Sequence, residues 1–272
     1  MSNFRRRLMM SIETKTAAEK VYENPTEYYG KRITNYSANG ITDWKIFHSD
    51  GKNVYIIASD YVPVSTLPTT SKGNKPENTD INYPKAASFN NIIKDYNGSS
   101  NITDERIKAL NSDYFSRGYT STNRNMSAIA YMLDIGIWSI FASEKAEYAI
   151  GGPTVELLMA SYSKSHNVDY KARAISAIGY QISKDGGTIW SDYYGGILST
   201  SDSLYVLPKS NGAYAMELAS PSNGGPSNIM HVSLYGGVSF NSYTGTNFGF
   251  RPIVCLKSAI QLEEDEDGYK IN

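Results

Sequence analysis

Three histidines, His48, His166 and His231, are the groups of this chain that titrate near neutral pH, and they stand far apart. Their spacing matches neither a standard zinc site nor a Ser/His/Asp order, so each reads as an ordinary buried or exposed histidine. Ser183-Lys184-Asp185-Gly186-Gly187-Thr188-Ile189-Trp190 fits the Asp-box pattern Ser-x-Asp-x-Gly-x-x-Trp, in which Asp and Gly shape a hairpin turn over the Trp. That is a structural task. Sialidase propellers carry several such boxes and an arginine triad, whereas this chain has one box and is short for a propeller. The acidic run Glu263 to Asp267 lacks alternating oxygen ligands and a distal Glu, so it reads as a solvated turn between Leu262 and Tyr269 rather than a calcium loop. Lys72-Gly73-Asn74-Lys75 lacks the spacing of a phosphate loop. Cys255, alone in the apolar strand Ile253 to Leu256, reads as a buried, inert thiol. The expectation is therefore no catalytic residue, no metal and no cofactor.

Recognition chemistry is better represented. From Leu218 to Phe250 there is no Asp, Glu, Lys or Arg, while Asn, Ser, Thr, Tyr and Gly abound. Aromatic rings supply rigid contact area and small polar groups supply adaptable hydrogen bonds, a composition suited to binding. Met230, Val232 and Leu234 alternate with polar neighbours, as do Val238 and Phe240, which predicts a hairpin. A three-residue loop Tyr235-Gly236-Gly237 sets Leu234 opposite Val238 and Val232 opposite Phe240. The other face then carries His231 beside Asn241, Ser233 beside Ser239 and Ile229 beside Tyr243, turned outward. Predicted ligand contacts are Asn228, His231, Ser233, Tyr235, Ser239, Asn241 and Tyr243, with Asn223, Thr244 and Asn247 at the rim and the two tyrosines as anchors. The competing reading is the solvated face of an ordinary hairpin.

The remaining elements must position that hairpin. With 272 residues, 40% of them hydrophobic, the chain can bury a sizeable core. Its net charge of −1 offers no basic face for nucleic acid, and no apolar run reaches membrane-spanning length. Tyr, at 22 copies, outnumbers Phe and Trp together, which suits contact-making surfaces. Residues 1–15 read as a flexible tail and 16–272 as one α+β domain. Trp44 to His48 and Val54 to Ala58 flank an Asp50-Gly51 turn and read as a core hairpin. Residues 63–101 read as irregular. Thr103 caps a predicted helix burying Ile107, Leu110 and Tyr114, Ser127 to Leu133 forms another, and Pro153-Thr154 opens a third that buries Val155, Leu158, Met159 and Tyr162. From Ala177 onward strands and turns prevail. Strands at both ends around a helical middle mean α+β rather than alternating α/β.

Met216 to Pro221, a polar hairpin, and then Gly249-Phe250-Arg251-Pro252-Ile253-Val254 resemble the end of C-type-lectin-fold domains, specifically the formylglycine-enzyme-like branch. That branch includes ligand-binding proteins diversified by bacterial and phage retroelements. Ala149 to Glu156 is similar to surface or prophage proteins with the same ending. The resemblance covers about residues 170–262, and Trp44 to Ala58 as well. It implies a C-type-lectin-like mixed fold, a buried Gly-Phe-Arg strand and a binding site in the exposed residues before it. Arg251 is expected to donate to loop carbonyls beneath that site. The Glu-Pro-Asn, Gln-Pro-Asp and Trp-Asn-Asp triplets of calcium-dependent lectins are missing, as is the paired cysteine chemistry of formylglycine generation.

The expected function is non-catalytic binding of a protein or glycan ligand on a cell or phage surface, which leaves open both the location, with a virion or a bacterial cell surface as candidates, and a homo-oligomer. The alternatives are a structural or appendage protein of a phage or cell surface, and a carbohydrate-active enzyme built around the single Asp-box.

Overall fold

The computed structural model describes residues 15–78, 80–96, 104–110, 124–176 and 179–272. The expected tail, except Lys15, lies outside the described residues, as do Thr103 and Tyr114. The fold is α+β. One sheet of seven strands gathers both ends of the chain. It contains β1 (Arg32–Ile33), β2 (Trp44–Ser49), β3 (Val54–Ala58), β5 (Ala146–Ile150), β12 (Ile253–Leu256), β13 (Leu262–Asp265) and β14 (Gly268–Ile271), in the order β13-β14-β1-β2-β3-β12-β5. β1 and β14 run parallel, with Ile33 beside Tyr269. The β2–β3 hairpin forms where the sequence places it, with Gly51 at φ +88° in the turn. All five residues of β3 are buried, because helices and loops cover the sheet there.

The second sheet has five strands: β4 (Ala86–Ala87), β8 (Ala215–Pro221), β9 (Asn228–Ser233), β10 (Val238–Ser242) and β11 (Phe248–Gly249), in the order β10-β9-β8-β11-β4. β6 (Lys171–Ser176) and β7 (Gly179–Ser183) form a separate ribbon. The helices are α1 (Ala17–Glu23), α2 (Pro25–Tyr28), α3 (Asn90–Tyr96), α4 (Glu105–Leu110), α5 (Arg124–Leu133), α6 (Ile135–Trp138) and α7 (Val155–His166). α5 begins three residues before the predicted Ser127. α7 starts as expected, with Thr154 Oγ1 accepting the Leu157 N–H at 3.2 Å, and it ends at Asn167 in the left-handed conformation. Its Val155, Leu158, Met159 and Tyr162 are all buried. α7 packs on β2, β6 and β8, and α5 packs on β8 and β9, so these two helices tie the sheets together.

The junction between helices and sheets is aromatic. Trp138 lies 5.7 Å from Phe141, 6.1 Å from Phe250 and 5.6 Å from Tyr131, ring centre to ring centre, and Phe250 lies 5.3 Å from Phe89. Edge-on and offset contacts of this kind add to the large area such rings bury. Gly151 is required beside them: a Cβ there would meet the Trp138 ring at 2.5 Å. No helix among the described residues is long and apolar enough to cross a membrane.

Candidate functional site

The hairpin predicted from the charge-free stretch exists, and its loop has three residues, but one position earlier than expected. Ser233 donates its N–H to Gly237 O at 2.8 Å, and Gly236 donates to Ser233 O at 3.0 Å, leaving Leu234-Tyr235-Gly236 as the loop. A three-residue hairpin ends in a left-handed residue. Gly236, at φ +73°, takes that role, and Gly237 does not. The register follows: Val232 faces Val238, His231 faces Ser239, Met230 faces Phe240 and Ile229 faces Asn241. The predicted pairs Leu234–Val238, Val232–Phe240, His231–Asn241, Ser233–Ser239 and Ile229–Tyr243 are thus corrected by two residues, while each strand keeps the expected partition of its faces.

The expected outward polar face is corrected more deeply. β9 is an interior strand between β8 and β10 with α5 packed on it, so Ile229, Met230, His231 and Val232 are all buried. His231 retains 8% exposure under the Phe248 ring, 5.1 Å away. Tyr243, expected as an anchor, is also 8% exposed. Tyr235 is 65% exposed at the loop, as expected of an anchor. Asn241 and Thr244 are exposed. Ser239, Ser233, Asn228, Asn223 and Asn247 are half-buried. Ser233 is spent on the loop, its Oγ accepting the Gly237 N–H at 3.1 Å. Asn223 donates to Asp192 Oδ1 at 3.1 Å, and the Asn247 carbonyl accepts the Tyr214 N–H at 2.8 Å.

Other residues complete the exposed surface. The segment after the Asp-box runs along β10: Tyr194 and Val238 exchange backbone hydrogen bonds at 2.8 and 2.9 Å, and Leu198 N–H reaches Gly236 O at 2.8 Å. This brings Tyr193, 58% exposed, to 6.4 Å from the Phe240 ring. At the loop, Tyr235 meets Tyr214 at 6.2 Å, Tyr214 meets Tyr83 at 6.4 Å, and Lys209 Nζ lies 5.0 Å from the centre of the Tyr83 ring. Sequence reasoning missed Tyr193, Tyr214 and Tyr83, because no local pattern says that one of these distant segments reaches β10 and the others the loop at Tyr235. The surplus of Tyr was the available signal.

The Asp-box performs its structural task. Asp185 Oδ1 accepts the N–H groups of Ile189 and Thr188 at 2.9 and 3.1 Å, and Trp190 Nε1 donates to Gly187 O at 2.7 Å. The Ile189 hydrogen bond, with one from Ser183 Oγ to Asp185 Oδ1 at 2.7 Å, holds the Asp185 carboxyl below its usual range. The acidic run forms the β13–β14 hairpin, where Asp265 accepts from Thr34 Oγ1 at 2.6 Å. Burial pushes the Cys255 thiol up to about 12, consistent with an inert side chain.

Beneath the exposed surface lies a pair that sequence reasoning also missed. Glu217 on β8 faces His231 on β9, and Glu217 is 2% exposed. Glu217 Oε2 and His231 Nδ1 are buried without hydrogen-bond partners among the described residues. Burial raises the Glu217 carboxyl well above its ordinary value, favouring its neutral form, and pushes His231 down to about 4, so the imidazole is neutral at pH 7. The signal was a Glu inside the apolar run Ala215 to Ala219. Arg251 is fully buried and donates to Ala58 O at 2.9 Å and Leu204 O at 2.7 Å, spanning the β3 end and the loop before β8.

No protein-family model matches the chain, and no curated protein or solved structure matches it significantly.

Proposed function

We propose that the protein is a non-catalytic recognition protein that presents the β9–β10 loop and its aromatic neighbours to a protein or glycan ligand on a cell or phage surface. The observation that carries this reading is Tyr235. It is 65% exposed, yet it stands on a loop closed by backbone hydrogen bonds to both Ser233 and Leu198. A large ring held out on a rigid loop loses little entropy when it is covered by a partner. Tyr214 stands beside it at 6.2 Å, and β10 leading away from the loop carries Ser239 and Asn241 on one face and Phe240, with Tyr193 against it, on the other, in a stretch from Leu218 to Phe250 that holds no carboxylate or amine. Asn223 and Asn247 form the rim. His231 and Tyr243 belong to the support, because their side chains are covered.

The framework reading is C-type-lectin-like. It is supported by the parallel pairing of β1 with β14, which joins the two ends of the chain, and by the burial of Phe250 and Arg251 directly before β12. Diversification by a retroelement is part of the same proposal: changes should collect at exposed positions such as Tyr235, Asn241 and Thr244 and spare Gly236. The test is a binding screen against bacterial cells and immobilised glycans, comparing the native chain with Tyr235→Ala/Tyr193→Ala. Loss of binding with an unchanged unfolding temperature supports the reading. Full retention of binding by the double variant would sink it.

A further inference from the structure

The ribbon of β6 and β7 carries a row of polar side chains beside the exposed aromatic surface. Arg173 and Gln181 are register partners, and because Ala174, Tyr180 and Ile182 are buried on one face of the ribbon, these two stand on the other. The second edge of β7 is continued by two segments, since Ile182 pairs with Ser191 and Tyr180 with Ser222. Asp192 and Asn223 follow directly and join the row. Arg173 Nη2 donates to Gln181 Oε1 at 3.0 Å, and Gln181 Nε2 and Asn223 Nδ2 both donate to Asp192 Oδ1 at 3.1 Å. Trp190 fixes the far end, with the Arg173 guanidinium 4.2 Å from its ring centre. Each member is thus oriented by its neighbour, and three atoms remain for a ligand. Asp192 Oδ2, Asn223 Oδ1 and Arg173 Nη1 have no hydrogen-bond partner among the described residues and are open to solvent, whereas Arg173 Nε is buried.

An aromatic pair adjoins the row through the chain itself. Tyr193 follows Asp192, and Phe240 lies against the residue after Asn223, where a Cβ on Gly224 would meet its ring at 2.5 Å. Tyr193 and Phe240 are 6.4 Å apart, and Tyr193 is 58% exposed. The ligand chemistry follows from these parts. One guanidinium and one carboxylate in the row offset each other, so charge favours neither an anion nor a cation. Two acceptors side by side call for two neighbouring donors, and Arg173 calls for an acceptor. Sugar hydroxyls meet all three demands, because each donates once and also accepts, and the hydrogen bond to the carboxylate is of the stronger, charge-assisted kind. The C–H face of a sugar ring is apolar and lies flat against an aromatic ring such as Tyr193, which supplies rigid contact area. Because the polar groups already hold one another, little freedom is lost when they bind.

We infer that this row binds a neutral hexose residue. Two adjacent ring hydroxyls donate to Asp192 Oδ2 and Asn223 Oδ1, a further hydroxyl accepts from Arg173 Nη1, and the C–H face of the ring covers Tyr193. The inference rests on the recognition reading above and narrows its ligand to a neutral glycan.

Titration of the full chain with methyl glucoside, methyl galactoside and methyl mannoside, followed by saturation-transfer NMR, tests this. At least one of the three is expected to bind, and its analogues lacking either hydroxyl of the contacted diol should bind about tenfold more weakly or worse. Asp192→Asn keeps an oxygen for Gln181 and Asn223, and Tyr193→Ala alters an exposed ring, so both variants keep the fold; each should weaken the sugar about tenfold with an unchanged unfolding temperature. Asn223→Ala should do the same. No binding by any of the three glycosides, or binding that neither Asp192→Asn nor Tyr193→Ala weakens, overturns the inference. Cell binding that Tyr235→Ala/Tyr193→Ala abolishes, in a chain that takes up no hexoside, removes this ligand class and leaves the recognition reading standing.

Discussion

Glu217 and His231 face each other across β8 and β9, burial disfavours the charged form of each, and among the described residues each has one buried atom that lacks a hydrogen-bond partner. Among the described residues their shifts have no other cause than burial. A pair of this kind is a store of pH dependence in the sheet that supports the exposed loop, since ionising either member would place a charge in a poorly solvated layer.

For Glu217 the folded value is raised, so the unfolded chain ionises first as pH climbs, and stability falls from about pH 4.5 upward. Glu217→Gln keeps the shape and removes the titration. Chemical denaturation should show the variant more stable than the native protein at pH 8 and less different at pH 4; an equal gain at both pH values would argue against this account.

For His231 and His48 the sign is opposite. Both have folded values of about 4 against 6.5, so the unfolded chain takes up protons first and stability is lost as pH falls from 6.5 towards 4. Each contributes about 3 kcal/mol to that loss, at about 1.4 kcal/mol for each unit. His231→Leu should flatten roughly half of this acid limb, as read from unfolding midpoints between pH 7 and 4.

Arg251 is a buried cation balanced by carbonyl oxygens rather than by a carboxylate within hydrogen-bonding distance. Burial lowers its guanidinium to about 10, so it remains charged at neutral pH. Arg251→Met abandons the Ala58 and Leu204 carbonyls in the interior and should cost about 3 kcal/mol, since hydrogen bonds from charged donors contribute more than neutral ones. Urea unfolding measures this, and a loss under 1 kcal/mol, the size of an ordinary neutral hydrogen bond, would contradict it.

Gly236 combines φ +73° with a close approach, because a Cβ there would lie 2.0 Å from Leu198 O. Gly236→Ala must break the Leu198 hydrogen bond or move the loop. We expect a loss of about 2 kcal/mol, with faster amide exchange at Leu198 and Ser233. Gly237, which does not need a left-handed backbone, should tolerate Ala better.

Much of the fold was legible locally. The β2–β3 hairpin, the cap and buried face of α7, the Asp-box turn and the burial of Cys255 each follow from a few adjacent residues. The partition of faces in β9–β10 was legible for the same reason. Its register was not, because two adjacent glycines each could supply the left-handed corner, and only the surrounding chain selects Gly236. The burial of His231 and Tyr243 was hidden for a larger-scale reason. Alternation shows which residues share a face, but whether a helix covers that face depends on how α5 returns over β8 and β9. Glu217 stood in plain view inside an apolar run, yet its meaning required the strand beside it. The two-residue strands β1, β4 and β11 carry no periodic signal at all, and their pairing is set by distant neighbours.

The corner at Gly236 also separates two kinds of constraint. Ser233, Gly236 and Leu198 close it through main-chain atoms, so the side chains of Leu234 and Tyr235 have little part in holding its shape. Residues there can be exchanged one for another while the ribbon keeps its course, which makes the tip a place where a lineage can try new partners without risking the architecture underneath.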